Sequence, residues 1–305
     1  MALLVGQCPF SRSEAEMTEA GLVSEVSLPP PLGPSRLLQH STIRIECRKA
    51  DGSTSSGTGF HFDFHAPIEI GDIPVVITNR HVVDGAIQIT FTLTLADENK
   101  QPTDRHMPIN VSEPSWVNHP DPNVDLVAIP LAPLLRQLEQ AKIFPFWATI
   151  HSDNIPSVEQ LSTLTPLEDV LMIGYPNGIW DDVNNLPIFR RGVTATACNR
   201  NYRGRPEFLV DAAVFPGSSG SPVFIFNEGS YAVPGGLVMG TRLWMIGIVY
   251  AVHLHKAQGE IITITIPTQT RSVALSGIPN HLGICIQAAR ILEFEPVLHK
   301  LAGVK

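Results

Sequence analysis

Apolar positions along this chain recur mostly with a period of two. Ile43-Arg44-Ile45-Glu46-Cys47 alternates apolar and polar side chains, the pattern of a strand with one buried face. Gly52 to Ser56 reads as a turn, Gly57-Thr58-Gly59-Phe60-His61-Phe62 as the next strand, and Pro74-Val75-Val76-Ile77-Thr78 as a fully buried one. Ile87, Ile89, Phe91, Leu93 and Leu95 alternate again. Further strands are predicted at 124–129, 170–176, 190–197, 207–211, 223–226, 243–253 and 261–266. Helical spacing is confined to a weak piece at 13–20, a short segment at 134–142, and 279–294, where Leu282, Ile284, Ile286, Ala289 and Leu292 suggest a C-terminal helix. The run Pro29-Pro30-Pro31-Leu32-Gly33-Pro34 favours extended backbone and supplies few ladder donors. Residues 1–38 therefore read as an N-terminal arm, partly extended or disordered, ahead of a body at 39–305.

Composition points the same way. Only 16% of the 305 residues are charged while 26 are Pro and 23 are Gly, which favours an all-β body with frequent turns. A hydrophobic share of 44% is enough for a sizeable core. The net charge of −8, without any Lys/Arg cluster, argues against nucleic acid as a partner. No run approaches the roughly 18 apolar residues of a membrane span. The first ten residues lack a basic region and a small-residue cleavage site, so a soluble, cytoplasmic protein is expected. Cys8, Cys47, Cys198 and Cys285 form no C-x-x-C pair and are expected to be reduced.

The candidate chemistry centres on Gly217-Ser218-Ser219-Gly220-Ser221-Pro222, ahead of the strand-like Val223-Phe224-Ile225-Phe226. Glycines on either side of serines allow a tight turn on which backbone N–H groups converge. A serine hydroxyl is a poor nucleophile at neutral pH and needs a base, which itself needs orienting. His81 follows a buried strand and Thr78-Asn79-Arg80. Asp125 stands before the apolar run Leu126-Val127-Ala128-Ile129, which favours it over the turn aspartates Asp84 and Asp121, because an orienting carboxylate should be immobile.

Taken in order, these motifs resemble the chymotrypsin-fold serine proteases. His, Asp, Ser is that fold's order and not that of subtilisins or α/β-hydrolases. Within the fold, Asp211-Ala212-Ala213 is similar to HtrA-type proteases, and 78–84 and 220–224 are similar to bacterial glutamyl-endopeptidase-like members. The resemblance covers about residues 40–260. It implies two six-stranded antiparallel β-barrels, at about 39–135 and 165–268, with the C-terminal helix after them. It makes Ser219, which directly precedes the second glycine, the nucleophile, His81 the general base and then acid, and Asp125 the residue that orients the ring. The backbone N–H groups of Gly217 and Ser219 become the oxyanion hole.

The resemblance also places a specificity pocket. Its base falls six residues before the nucleophile, at Ala213, and Tyr250, Ala251 and Val252 contribute a wall. With no acidic group at Ala213 and with Val252 narrowing the mouth, a small or medium aliphatic residue is the expected occupant. Glutamyl-specific members place a histidine where Val249 stands, so that kinship is weaker, and His253 and His255 read as rim residues. No metal or cofactor is expected. Ser218 occupies the position where digestive members keep the aspartate that pairs with a newly cut N-terminus, and residues 38–45 carry no Arg-Ile-Val-Gly-Gly. Control through loops or partners, without zymogen cleavage, is the expectation. After Ile266 only about 40 residues remain, too few for a PDZ domain.

The expected partner is a protein or peptide substrate. The alternative from another class is a catalytically silent protease-fold module that binds peptides or protein partners. An α/β-hydrolase is disfavoured, because the second glycine of G-x-S-x-G is replaced by Ser221 and the histidine comes first.

Overall fold

Where the alternating segments were expected to bury one face, the computed structural model shows strands; it describes residues 33–67, 71–233, 235–261 and 272–303. The expected helical piece at 13–20 and most of the proline run lie outside the described residues. The described chain enters through a short helix, α1 (Pro34–Leu38), with proline in its first turn and Leu37 and Leu38 buried. β1 (Thr42–Lys49) buries Ile43, Ile45 and Cys47, the period-two face seen in the sequence. β2 (Thr54–Phe64) and β3 (Ile73–Thr78) follow, then a single helical turn, α2 (Arg80–Val83). β4 (Ala86–Ala96), β5 (Pro102–Ser112), β6 (Val117–Asn118) and β7 (Val127–Pro130) complete the main path, with α3 (Ala132–Gln140) behind it. β8 (Pro145–Phe146), β9 (Ile150–His151) and α4 (Val158–Ser162) lie in the crossover to the second half.

The first half is a nine-stranded sheet ordered β5-β4-β1-β2-β3-β7-β6, with β8 paired to β4 and β9 paired in parallel to β2. In the second half, β10 (Asp169–Gly174), β11 (Ile188–Thr194), β12 (Glu207–Asp211) and β13 (Pro222–Asn227) precede a separate hairpin, β14 (Ser230–Val233) and β15 (Gly236–Met239). Two long strands, β16 (Arg242–Ile261) and β17 (Ser272–Gln287), then close a six-stranded barrel in the order β10-β11-β12-β17-β16-β13. The chain ends in a 3-10 segment, Ala288–Phe294, and α5 (Glu295–Leu301). This is the all-β, chymotrypsin-type arrangement with a C-terminal helix.

Three expectations change in detail. The first unit has nine strands instead of six, because β8, β9 and the two-residue β6 add themselves to the sheet. The C-terminal helix begins later than 279, since Leu282, Ile284 and Ile286 are strand residues of β17, hydrogen-bonded on one side to β12 and on the other to β16. Their spacing is period two, which two apolar residues further on had disguised as helical, and the second barrel therefore extends past 268 to Gln287. β5 was not expected; Pro102 and Pro108 break its pattern, and it lies at the sheet edge, where proline costs no ladder bond. The strand expected at 261–266 falls almost wholly outside the described residues.

The sheet interior also holds neutral histidines. His61 on β2 is buried and stacks on Trp147, centroids 4.7 Å apart, and His40 meets the Phe146 edge at 5.0 Å. Burial lowers His61 to about 3 and, together with His106 nearby, lowers His40 to about 4, from an ordinary 6.5. A histidine held below its unfolded value stabilises the fold fully above that value and loses this contribution as pH falls towards the folded one. Asp63 acts in the opposite sense: burial, with the Asp72 charge adding, raises it to about 7, so its contribution is lost as pH rises. Two imidazoles outweigh one carboxyl between pH 6.5 and 4. Urea midpoints measured at pH 7.5 and 5 are expected to be lower at pH 5, and His61→Phe, which keeps the stack on Trp147, should shrink the difference. Equal midpoints in the unmodified protein would contradict this.

Candidate functional site

β3 ends at Thr78 and hands the chain to Asn79, whose extended backbone (φ −76°, ψ 145°) precedes the α2 turn. Asn79 is fully buried, and its Nδ2 donates to the Asp125 carbonyl at 2.8 Å, tying the end of β3 to the loop before β7. Asp125 lies in that loop, directly ahead of the buried Leu126, Val127 and Ala128. Its Oδ1 accepts the His81 backbone N–H at 3.1 Å and its Oδ2 pairs with His81 Nδ1. An ionised carboxylate only accepts, so this pairing places the ring proton on Nδ1 and leaves the Nε2 lone pair for other work. The His81 side chain is 48% exposed and that of Asp125 only 19%, so the carboxylate is held while the ring keeps an open face.

The serine turn is built from the other half of the molecule. Gly217 and Gly220 both have φ of 87°. A Cβ on Gly220 would lie 1.9 Å from the Thr58 carbonyl oxygen, so glycine is required there for space as well as for φ. The turn's own bonds run from Ser218 N–H to the Phe215 carbonyl at 3.0 Å and from Ser221 N–H to the Ser218 carbonyl at 3.0 Å. Gly220 N–H donates to Val249 and Val249 N–H to Ser221, at 2.8 and 3.0 Å, which joins the turn to β16. Among the described residues, the N–H groups of Gly217 and Ser219 donate to no protein acceptor. Most backbone donors in folded proteins are paired, so two unpaired ones at a glycine turn are a ready site for an incoming oxygen.

Thr58 on β2 holds this turn to the first sheet. Its N–H donates to the Ser219 carbonyl at 2.8 Å, and its hydroxyl donates to the Gly217 carbonyl at 3.1 Å. The same oxygen accepts from Tyr175 N–H at 3.1 Å and from the Ser221 hydroxyl at 3.2 Å, while Thr78 Oγ1 donates to the Thr58 carbonyl at 2.7 Å. Next to it, a Cβ placed on Gly57 would lie 2.6 and 2.7 Å from the Val82 methyls and 3.3 Å from the Ser219 carbonyl oxygen. The residue after His81 and the backbone of Ser219 thus flank one glycine. The sequence-predicted His81, Asp125, Gly217 and Ser219 are brought to one end of the seam between the two halves.

The pocket residues are less uniform. Val252 packs on the cluster that contains Ala212, Val214 and Val249. Tyr250 is the extra residue of a β-bulge, between Val249 and Ala251 in the pairing with β17. Its hydroxyl donates to Glu207 Oε1 at 2.9 Å. Burial first, then Glu207, raises the phenol to about 12, with the charge of Asp125 adding. The side chains of His253 and His255 lie outside the described residues.

Sequence reasoning missed Thr58, although glycines on both sides of it are the sign of close backbone approach within a strand. It also missed Asn177, whose N–H meets the Pro216 carbonyl at 2.5 Å, and Arg190, whose Nη1 donates to the Ala213 carbonyl. Neither of these carried a readable signal.

A family model described as "Trypsin-like peptidase domain" matches residues 57–231, over half of the chain and including all of these positions except those on β16. The chain belongs to the trypsin-like peptidase domain family. No curated protein matches the chain in sequence. Among solved structures it is similar to an HtrA-type protease, AlgW with a tripeptide, at 17% identity and a TM-score of 0.43, covering 85% of this chain and 60% of that one. It is similar also to the active form of the Rv3671c protease from M. tuberculosis, at 16% identity and 0.42, covering 94% and 96% of the two chains, and to Deg5, at 16% and 0.40, covering 70% and 81%. The chain thus spans only 60% of the AlgW chain.

Thr58→Val keeps the shape of the side chain and removes the hydroxyl. Leaving Tyr175 N–H and the Gly217 carbonyl without their partner should destabilise the peptidase by about 1–3 kcal/mol in denaturant titration, with a matching loss of turnover. Unchanged stability and turnover would show that the hydroxyl is dispensable.

Proposed function

We propose that this chain is a serine endopeptidase that cleaves protein or peptide substrates through Ser219, His81 and Asp125. The observation that supports the reading most directly is the His81–Asp125 pair, in which one carboxylate takes both the ring Nδ1 and the backbone N–H of the histidine. His81 Nε2 takes the proton of Ser219 Oγ as that oxygen attacks the substrate carbonyl carbon. The charge that develops on the carbonyl oxygen is received by the N–H groups of Gly217 and Ser219. His81 then gives its proton to the leaving amine, and an ester on Ser219 remains. Water, deprotonated by the same nitrogen, hydrolyses the ester and frees the serine. Asp125 fixes the tautomer throughout and stabilises the imidazolium.

For the residue before the cut we propose a small or medium aliphatic side chain. Ala213 brings no charge to the pocket base, and Val252 packs with Val214 and Ala212 to make an apolar wall. We place the enzyme in a reducing, cytoplasmic setting. Cys47, Cys198 and Cys285 are free and buried, and burial raises their thiols above the ordinary range, which makes them poor candidates for oxidation. Among the described residues no helix is long and apolar enough to cross a membrane.

A fluorophosphonate probe should label the unmodified peptidase and leave Ser219→Ala unlabelled, and that substitution should lower kcat by roughly a millionfold. Digestion of an unbiased peptide library should show cuts mainly after Ala, Val and similar residues. Equal labelling of the two proteins removes Ser219 as nucleophile, and dominant cleavage after Lys, Arg or Glu removes the aliphatic pocket.

A further inference from the structure

Arg190 lies on β11 opposite Met172 of β10, and its guanidinium meets a backbone carbonyl and an aromatic ring where several other arginines meet a carboxylate. Arg44, Arg242 and Arg290 each meet a carboxylate, at 2.7, 3.1 and 2.8 Å. Among the described residues Arg190 pairs with none. It donates from Nη1 to the backbone carbonyl of Ala213, and its guanidinium carbon stands 5.0 Å from the centroid of the Phe215 ring. The same ring also meets the His281 imidazole in a near-perpendicular arrangement, centroids 5.8 Å apart. β11 is also pressed against the start of the same loop: a Cβ on Gly192 would lie 2.4 Å from the Asp211 carbonyl oxygen. Partial burial lowers Arg190 from its ordinary value, so the cation has given up water for a carbonyl and an aromatic face.

Those contacts bear on where the loop's N–H groups point. A peptide unit is planar and trans, so fixing its carbonyl in one direction fixes the following N–H in the other. The Pro216 carbonyl is taken by Asn177 N–H at 2.5 Å, which directs the Gly217 N–H the opposite way. Three residues earlier, the Ala213 carbonyl is taken by Arg190. Between them Phe215 closes the 3.0 Å turn bond to Ser218 N–H while its ring is gripped by Arg190 and His281. Ser218 itself is 1% exposed and uncharged, so no carboxylate at that position awaits a freed amino terminus.

We propose that Arg190 is a positioning residue that holds the 213–217 loop in its working shape from inside the folded chain, so that the oxyanion donors are assembled without any cut in the polypeptide. The inference rests on the triad reading above. Arg190 touches neither substrate nor reacting atoms; it acts through Ala213 and Phe215 on the Gly217 N–H.

The test compares the unmodified peptidase with Arg190→Met and Arg190→Lys, using a peptide anilide with an aliphatic residue before the cut and a fluorophosphonate probe. Arg190→Met should lower kcat and the labelling rate by about 10²–10³-fold, the scale of a lost oxyanion donor. KM should stay within about threefold, because ground-state binding does not use the hole. Added guanidinium ion, well below denaturing concentration, should restore part of the rate, which a general loss of packing would not allow. Arg190→Lys keeps a donor for Ala213 but loses the flat face against Phe215, and should fall between the two; it also serves if the methionine variant does not fold. A labelled unmodified enzyme with both variants equally fast, or a loss carried by KM and untouched by guanidinium, overturns the role of Arg190. An unmodified enzyme that is not labelled at all overturns the triad reading instead.

Discussion

Thr58 belongs to the first sheet, yet most of its hydrogen bonds reach the second. Its N–H and hydroxyl donate to Ser219 and Gly217, and the same hydroxyl accepts from Tyr175 and Ser221, all in the barrel half. Its carbonyl is bound by Thr78, one residue before the Asn79 that ties β3 to the Asp125 loop. A single buried residue therefore sets the height of the serine turn relative to the strand that ends beside His81. Gly57 and Gly59 make this possible, because side chains at either would collide with Val82 or with Val76 and Ile45. The interior is close-packed, so this seam cannot slide by even an ångström without breaking several bonds together.

Around the turn, carbonyls and N–H groups are sorted by direction. The carbonyls of Ala213, Pro216, Gly217 and Ser219 are each taken by a donor, from Arg190, Asn177 and Thr58. Among the described residues, the N–H groups of Gly217 and Ser219 donate to no protein acceptor. Unpaired donors on a fixed turn are what the proposed oxyanion hole requires, because nothing would have to rotate when charge appears beside them. On the other side of the turn, His81 is bonded to Asp125 through both ring and backbone, which restricts the imidazole to one tautomer and one tilt.

The strands were readable because half-buried strands alternate, as β1 and β4 do over most of their lengths, and because β3 is a short continuous apolar run. Trouble came where that rule has exceptions. At 282–286 an alternating run was joined to Ala289 and Leu292, so a strand followed by a 3-10 segment imitated one helix. β5 was hidden because its prolines and charged residues face solvent at a sheet edge, with only Met107, Ile109 and Val111 turned towards the core. The extra strands of the first unit, β6, β8 and β9, are two residues long, too short for any period to show.

Residue order alone determined the all-β class, the His81, Asp125, Ser219 series and the glycine turn, because each depends on local chemistry: alternation, a strand-end histidine, and residues that tolerate φ near 87°. Folding decided everything that depends on pairs distant in the chain. The Asp125 carboxylate reaches the ring at 81 only through the β3–β7 pairing, Thr58 meets Ser219 only because two halves abut, and Arg190 finds Ala213 only because β11 runs beside that loop. A backbone carbonyl leaves no mark in a sequence, and neither does the side chain that binds it. That is why the candidate residues were legible in the sequence and the contacts that hold them were not.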